Sequence, residues 1–223
     1  MNKQEVRSRI EEVGIIPAVR VSSTEDALFA AEAVSRGGIP IVEVTVTVPD
    51  AHKVISHLVQ NAPEVIVGAG GVSDVETARR CLDAGAKFLT SDGLDFETVN
   101  FAVNNNIIIF PGVLTPTEIV TAWKLGPDFL KVVPCGQVGG ASYIRALKAM
   151  FPNVPLIAAG GVNQQTASSF ILAGAIALGI GAELIPMEAI QMRQPDRIAE
   201  LARRFTGFVS SATSQSAASR DSA

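Results

Sequence analysis

The chain has 223 residues, of which 48% are hydrophobic and 18% are charged, and its formal net charge is −4 at pH 7. One α/β barrel of about 200 to 250 residues fits this length without a second domain. The weak negative charge argues against the clustered basic face that nucleic-acid binding needs. The longest uncharged apolar run, residues 170–182, is too short to span a bilayer, so we expect neither a nucleic-acid nor a membrane partner.

Two features bear on the cellular compartment. The N-terminal segment MNKQEVRSRIEEV is charged throughout and lacks the apolar stretch of a signal peptide. The cysteines are Cys81 and Cys135, and so small a number suits a reducing compartment better than a disulfide scaffold. We therefore expect a cytoplasmic protein.

Short apolar runs alternate with helical patterns along the chain. The first dozen residues predict a helix that precedes the sheet. Segments rich in Ala, Leu and Glu, which start at Thr or Asp and stop at Gly, predict helices between the strands. Eight candidate strands follow one another at intervals of about 20 to 25 residues: 14–20, 40–46, 64–70, 87–91, 107–113, 129–134, 156–161 and 176–181.

The alternation of eight strands with helices predicts a (β/α)8 TIM barrel with an N-terminal helix that closes its bottom face. An open doubly wound sheet is the alternative, because a count of eight strands does not prove closure. Residues 195–208 predict a last amphipathic helix, so the single domain would cover residues 1–208. The small polar residues 209–223 predict a disordered tail.

The second strand, within IPIVEVTVTVP (residues 39–49), carries an unexpected carboxylate. Its valines fall on one face, and Glu43, Thr45 and Thr47 fall on the other. A solvent-facing polar side would explain the pattern, and so would a carboxylate that points into an enclosed active site. Both faces of a barrel strand are buried, which favours the second interpretation.

The sixth strand, DFLKVVP, places Lys131 in phase with Phe129 and Val133. A buried lysine loses the solvation of its charged form, and the neutral amine can attack a carbonyl to form a Schiff base. The alternative is a lysine at a strand end whose ammonium reaches solvent. Strands two and six are opposite each other in an eight-stranded ring, so Glu43 can approach Lys131 and transfer protons. A buried ion pair without catalysis is the other interpretation.

Further candidates lie at the carboxyl ends of the strands, where barrel active sites are built. Arg20 could hold a substrate carboxylate with two parallel hydrogen bonds, or it could form an ordinary salt bridge at the rim. Glycines follow strands seven and eight, where barrels frequently bind phosphate through backbone N–H groups at a helix N-terminus: Gly160, Gly161, Gly179 and Gly181. No group of residues has the spacing of a metal site.

Several motifs, taken in order, carry a resemblance to a known family: PAVR (17–20), VEVTVTVPDA (42–51), VGAGGV (67–72), FPGVLTPTE (110–118), LKVVP (130–134), AAGGV (158–162) and LGIGAEL (178–184). The sequence resembles the bacterial KDPG/KHG aldolases from about residue 10 to about residue 208. These class I aldolases cleave 2-keto-3-deoxy-6-phosphogluconate (KDPG) or 4-hydroxy-2-oxoglutarate (KHG).

The resemblance implies a homotrimeric barrel that needs neither a metal nor an organic cofactor. Lys131 would form the Schiff base, Glu43 would move protons, and Arg20 would hold the pyruvate carboxylate, as in family members that carry Thr at the position of Thr47. The resemblance extends the candidate substrate-binding positions to Arg20, Thr47, Gly71, Pro111, Ala159, Gly160, Gly161, Gly181 and Ala182.

Four positions depart from the family pattern. Members often have Thr where Gly71 and Ala159 stand, Ser where Ala182 stands, and Pro where Asp92 stands. A lost hydrogen bond to a charged group typically costs about 1.5 to 3 kcal/mol. We therefore expect an intact lyase core, with a weakened preference for a phosphorylated substrate.

Three hypotheses follow. The leading one is a pyruvate-forming aldolase that acts on KDPG, on KHG or on both. The second retains the Schiff base but changes the aldehyde half, as in a phosphogalactonate isomer. The third is a non-catalytic oligomeric barrel that binds a keto acid.

Overall fold

The computed structural model describes the backbone of residues 1–221 and the side chains of residues 1–218. Within this part of the chain, nine short strands form one parallel sheet. They are β1 (Ile15–Val19), β2 (Ile41–Thr45), β3 (Ile66–Gly70), β4 (Phe88–Thr90), β5 (Ile108–Phe110), β6 (Gly112–Val113), β7 (Leu130–Val132), β8 (Leu156–Ala159) and β9 (Ala177–Ile180).

The sheet closes on itself. Its hydrogen-bonded order is β5-β4-β3-β2-β1-β9-β8-β7-β6, and the two strands at its ends, β5 and β6, are separated in the chain by Pro111 alone. They are the two halves of the predicted fifth strand, which divides at Pro111 because proline has no N–H to donate to a ladder. The TIM-like (β/α)8 prediction is confirmed, and the open sheet is not observed.

The helices of the described residues alternate with the strands. They are α1 (Lys3–Val13), α2 (Thr24–Arg36), α3 (Ala51–Asn61), α4 (Val75–Asp83), α5 (Phe96–Asn104), α6 (Pro116–Trp123), α7 (Ala141–Met150), α8 (Ala167–Leu172), α9 (Met187–Gln191) and α10 (Pro195–Asp221). Several begin at polar caps: the side chains of Ser23, Asp74 and Asp95 each accept a hydrogen bond from the N–H three residues later. The predicted Asp start is confirmed for α4, whereas the cap of α2 is a serine and not the predicted threonine. None of the described helices is both long and apolar enough to cross a membrane.

The N-terminal helix lies at the bottom of the barrel, where the strands begin. Lys3 of α1 forms an ion pair with Asp128, two residues before β7, at 2.9 Å between Nζ and Oδ2. The guanidinium of Arg7 lies over the Phe129 ring, 5.3 Å from its centroid. These contacts attach α1 to the entrance of β7, as predicted for a helix that closes this face.

Three aromatic rings fill the barrel interior above α1. The rings of Phe88 and Phe110 stack with centroids 5.2 Å apart, and Phe129 meets Phe110 edge-on at 5.2 Å. All three side chains are fully buried. Phe88 and Phe129 stand two residues before Thr90 and Lys131, so this layer supports the residues at the mouth of the barrel from below.

The prediction of a disordered tail is wrong for residues 209–221. Helix α10 continues to Asp221, and its side chains Val209 and Ala212 are buried, in helical spacing with Ala202 and Phe205. A Cβ built on Gly14 would lie 2.8 Å from Cγ1 of Val209, so the helix packs closely on the start of β1. The expected boundary at residue 208 therefore falls inside a helix. Residues 222 and 223, also assigned to the tail, lie outside the described residues.

Candidate active site

Lys131 lies in the middle of β7 with its side chain inside the barrel. It is 6% exposed, so its ammonium does not reach freely into solvent. Its Nζ donates hydrogen bonds to Oδ1 of Asp92 at 2.8 Å and to Oγ1 of Thr90 at 3.3 Å. Backbone pairing fixes the strand here, because the Lys131 N–H donates to the carbonyl of Pro111 at 3.0 Å.

Glu43 faces the same interior from β2. The residue is 6% exposed, so the polar side of this strand is not a solvent face. Burial raises the pKa of Glu43 above its ordinary value, and the charge of Lys131 and a hydrogen bond from the Thr90 hydroxyl offset this only in part. A carboxyl group with a raised pKa holds a proton more readily than an ordinary glutamate does, which suits it to accept and return protons.

Asp92, at the mouth of the barrel after β4, is the second carboxylate of the site. Partial burial acts to raise its pKa, but hydrogen bonds and charge interactions with Lys131 and Arg20 outweigh burial and hold the pKa below the ordinary value. The two carboxylates therefore differ in character. Glu43 is disposed to carry a proton, and Asp92 is disposed to remain ionised.

Arg20 directly follows β1 and lies at the rim. Its side chain is 59% exposed, and a guanidinium nitrogen lies 3.4 Å from Oδ2 of Asp92. The salt bridge considered for Arg20 is therefore present, and its partner is the carboxylate that also holds Lys131. Arg20, Asp92 and Lys131 form a continuous series of charges across the mouth.

In the sequence, Asp92 stood out only as a departure from the family pattern, and Thr90 did not stand out. A signal for both residues was present in the segment KFLTSDGL. Phe88, Thr90 and Asp92 alternate in phase, so a strand that buries Phe88 inside the barrel directs the next two toward the mouth.

Thr47 differs from expectation. Strand β2 ends at Thr45, so Thr47 lies in the following turn and is exposed at the mouth rather than pointing into the interior from a strand. Its hydroxyl lies 2.8 Å from that of Thr45, which is also 3.0 Å from the carbonyl of Val19. This arrangement links the ends of β2 and β1 next to Arg20.

Gly71 follows β3 with φ 71, a left-handed conformation that disfavours a side chain. Threonine, which the family often has here, would be strained in this conformation. The departure from the family pattern at Gly71 therefore has a backbone cause in this chain.

The glycines after β8 and β9 line a cavity of about 300 Å³ at the mouth. Helix α8 begins only at Ala167, so Gly160 and Gly161 lie in a loop and not at a helix N-terminus. Any anion at Gly161 would meet loop backbone rather than a helix N-terminus. The cavity lining consists of Gly160, Gly161, Val162, Asn163, Gly179, Gly181, Ala182 and Glu183.

This loop cavity is poor in positive charge. No lysine or arginine is among the described residues that line it, and Glu183 adds a carboxylate. The backbone N–H groups of Gly161, Ala182 and Glu183 have no acceptor within the described chain, so they remain available to a ligand. A neighbouring cavity of about 190 Å³ brings Arg20 together with Gly181 and Ala182.

Ala159 also lies in this region, at the end of β8. It is 8% exposed, and its Cβ would lie 3.0 Å from a Cβ added to Gly179. The small residues therefore keep the ends of β8 and β9 close together, and Ala159 presents no hydroxyl to a ligand.

Two other kinds of chemistry lack support among the described residues. Burial raises the pKa of the Cys135 thiol to about 11, which leaves almost no thiolate near neutral pH. The described histidines, cysteines and carboxylates form no group that could hold a metal ion.

The chain is similar to known aldolases. The family described as KDPG and KHG aldolase matches residues 6–201. A Treponema pallidum protein named 2-dehydro-3-deoxy-phosphogluconate aldolase is 28% identical over 90% of this chain and 95% of its own length. The Escherichia coli K12 KHG/KDPG aldolase is 29% identical over 85% of this chain and 89% of its own length.

A solved structure adds chemical detail. The KDPG aldolase from Legionella pneumophila, with pyruvate captured at low pH as a covalent carbinolamine intermediate, superposes with a TM-score of 0.82. It is 29% identical, and the match covers 88% of this chain and 96% of that one. The chain belongs to the KDPG and KHG aldolase family, the class I aldolases that act as carbon–carbon lyases.

Proposed function

We propose that the protein cleaves KDPG, KHG or both to pyruvate and an aldehyde, through a Schiff base on Lys131. The aldehyde is glyceraldehyde 3-phosphate from KDPG or glyoxylate from KHG. The observation that carries the proposal is the burial of Lys131 and Glu43 in one barrel interior, each 6% exposed. Buried charges are costly to a scaffold, whereas an amine and a carboxyl group in contact with one hydroxyl suit imine chemistry.

The reaction starts with attack of the neutral Lys131 amine on the C2 carbonyl of the keto acid. The resulting carbinolamine loses its hydroxyl as water, with a proton supplied by Glu43, and becomes a protonated imine. The ionised Glu43 then accepts the C4 hydroxyl proton as the C3–C4 bond breaks to give the aldehyde, and the bond's electron pair moves into the imine to give an enamine. Protonation at C3 and hydrolysis release pyruvate and restore the amine.

The other residues of the mouth would hold the keto acid for this sequence. Arg20 offers a guanidinium to the substrate carboxylate next to the reacting carbonyl. Thr47 lies near Arg20, because its hydroxyl contacts that of Thr45 at the end of β2. Gly71 and Pro111 flank the interior at the ends of β3 and β5. Ala159, Gly160, Gly161, Gly181 and Ala182 would contact the far end of the substrate.

The protein residues around the far end of the substrate argue for a weakened preference for the phosphorylated substrate. Backbone N–H groups can bind a phosphate, but here Glu183 repels it and no described cation lines the cavity to compensate. Glyoxylate is short, so KHG would not depend on this cavity. Cleavage rates of KDPG and KHG under equal conditions measure the preference. A large kcat/KM advantage for KDPG would contradict it.

Reductive trapping tests the core of the proposal. Incubation with pyruvate and borohydride, followed by peptide mass spectrometry, is expected to place a reduced pyruvyl group on Lys131. The chain has other lysines as internal controls, among them the exposed Lys53. Absence of an adduct on Lys131 would reject the aldolase mechanism and leave the non-catalytic barrel as the explanation.

The homotrimer and the cytoplasmic location also remain proposals. Val120 and Trp123 are exposed on α6 at 42% and 37%, which is consistent with an apolar contact between subunits. A designed cage built by fusing symmetric oligomeric domains contains a domain similar to this chain, with a TM-score of 0.84. Light scattering coupled to size-exclusion chromatography measures the oligomeric state, and a mass other than that of three chains would contradict the trimer.

A further inference from the structure

The rim residue Asp92 is held in place by the barrel itself. The loop after β4 is attached to β6 through Gly112, whose N–H donates to Ser91 Oγ at 3.4 Å and to the Gly93 carbonyl at 3.3 Å. Ser91 Oγ donates to the same carbonyl at 2.7 Å. A Cβ on Gly112 would collide with the backbone of Asp92, so the two segments pack without a gap. The Asp92 backbone is therefore a fixed part of the mouth.

The side chain of Asp92 bridges two cations with different surroundings. Oδ1 lies 2.8 Å from Nζ of Lys131, whose side chain is 7% exposed. Oδ2 lies 3.4 Å from the guanidinium of Arg20, whose side chain is 59% exposed. Asp92 itself is 52% exposed, so its carboxylate covers the buried amine on the solvent side.

The carboxylate of a bound 2-keto acid needs the position that the carboxylate of Asp92 occupies. Its carboxylate is bonded directly to the carbonyl carbon, so a molecule whose carbonyl carbon reaches Nζ brings a carboxylate within a few ångströms of that atom. The only guanidinium in the series of charges across the mouth is Arg20, and Asp92 already contacts it. The carboxylate of Asp92 and that of the keto acid therefore compete for one location between the same two cations.

We propose that the carboxylate of Asp92 occupies in the free enzyme the place that the carboxylate of a 2-keto acid takes on binding. This inference rests on the proposed function. Substrate binding is then the exchange of one carboxylate for another at Arg20, followed by release of Lys131 from Asp92. The exchange keeps a negative charge between the two cations before and after binding, and it weakens the binding of keto acids.

The test uses the concentration of pyruvate that gives half-maximal borohydride trapping on Lys131. Asp92→Asn removes the competing charge and keeps the size of the side chain. Because the Arg20–Asp92 pair is exposed, the half-maximal concentration is expected to fall by roughly two- to fivefold. Glu97→Gln is the matched control: Glu97 is an exposed carboxylate in the first turn of α5 and should leave the concentration unchanged.

A second pair of variants separates competition at Arg20 from a general effect of charge. In an Arg20→Gln background there is no guanidinium to compete for, so adding Asp92→Asn should give a smaller gain, the part that comes from the release of Lys131 alone. An equal gain in both backgrounds would overturn the inference, and so would an unchanged or increased half-maximal concentration in Asp92→Asn alone. Thermal unfolding of each variant verifies that the folded protein is being compared.

Trapping in the wild-type protein distinguishes failure of the aldolase mechanism from failure of the Asp92 proposal. Without any adduct on wild-type Lys131, the aldolase mechanism fails and Asp92 has no keto acid to compete with. With normal trapping in the wild type and no gain in Asp92→Asn, the aldolase mechanism stands and only the role of Asp92 is rejected.

Discussion

A methyl group placed on Gly70 would collide with the carboxylate of Glu43. The two residues are not register partners, because Gly70 pairs with Thr45 and Glu43 pairs with Gly68. The Glu43 side chain therefore leans along the barrel toward the mouth and uses the space that Gly70 leaves. The position of the proposed proton carrier depends on the absence of a side chain on the neighbouring strand.

Gly70→Ala is expected to displace Glu43 and to reduce kcat on the order of 100-fold, because a shift of about 1 Å in a reacting group can cost this much. Steady-state cleavage assays measure the effect. Gly207→Ala is the control, since a Cβ on Gly207 meets nothing within 4 Å. Full activity of Gly70→Ala would show that the carboxylate does not need its present position.

Lys131→Met is expected to lower kcat by at least about three orders of magnitude, since no other described amine is available in the interior to form the imine. The fold should persist, because Glu43 can take up a proton once the cation has gone. Circular dichroism and cleavage assays on the same sample separate activity from folding. Substantial lyase activity in the folded variant would contradict the assignment of the nucleophile.

Glu43 gives stability a specific pH dependence. Its pKa is raised in the folded protein, so the folded state binds this proton more tightly than the unfolded chain does. Its stabilising contribution is fully present below the ordinary pKa of 4.5 and is lost as the pH rises through the raised value.

Gln at position 43 does not titrate. The stability of Glu43→Gln relative to the wild type should therefore increase with pH above 4.5, as measured by urea unfolding at a series of pH values. Titratable groups that do not interact with Glu43 cancel in this difference. A difference that stays constant with pH would show that the Glu43 pKa is the same in the folded and unfolded states.

The C-terminal part of α10 is expected to stabilise the barrel. A chain that ends at Phe208 loses the buried side chains of Val209 and Ala212, at a cost of about 2 to 4 kcal/mol in the free energy of unfolding. A chain that ends at Thr213 keeps both and is the matched control. Equal urea midpoints for the two truncated chains would show that this packing contributes nothing.

The sequence predicts those site residues whose orientation depends on the pattern of a single strand. The alternation of side chains along each strand places Glu43 and Lys131 on inward faces. The geometry of an eight-stranded ring places strands two and six opposite each other across the interior. Both buried residues were therefore predicted. Contacts made by loops were not predictable in this way. The alternation of Phe88, Thr90 and Asp92 directs Asp92 toward the mouth, but its contact with Lys131 also depends on the packing of the β4 loop on Gly112, which is remote in sequence.

The errors in the fold have a similar origin. The helix beyond residue 208 is stabilised by two small or medium apolar side chains within a polar segment. The polar composition of this segment indicates disorder. Composition does not show that Val209 packs near Gly14, which is remote in sequence. Thr47 lies outside β2 because the ladder with β3 ends at Thr45, and the alternation of side chains continues past that point.

The layer formed by Phe88, Phe110 and Phe129 gives the interior a blind end. In the proposed mechanism, a fragment joined covalently to Lys131 lies between this end and the mouth, where Arg20 and Asp92 are exposed. The aldehyde departs first, because pyruvate is still bound to Lys131 as the enamine. The aldehyde leaves by the mouth, and the water that hydrolyses the imine enters there too, because the aromatic layer closes the other end.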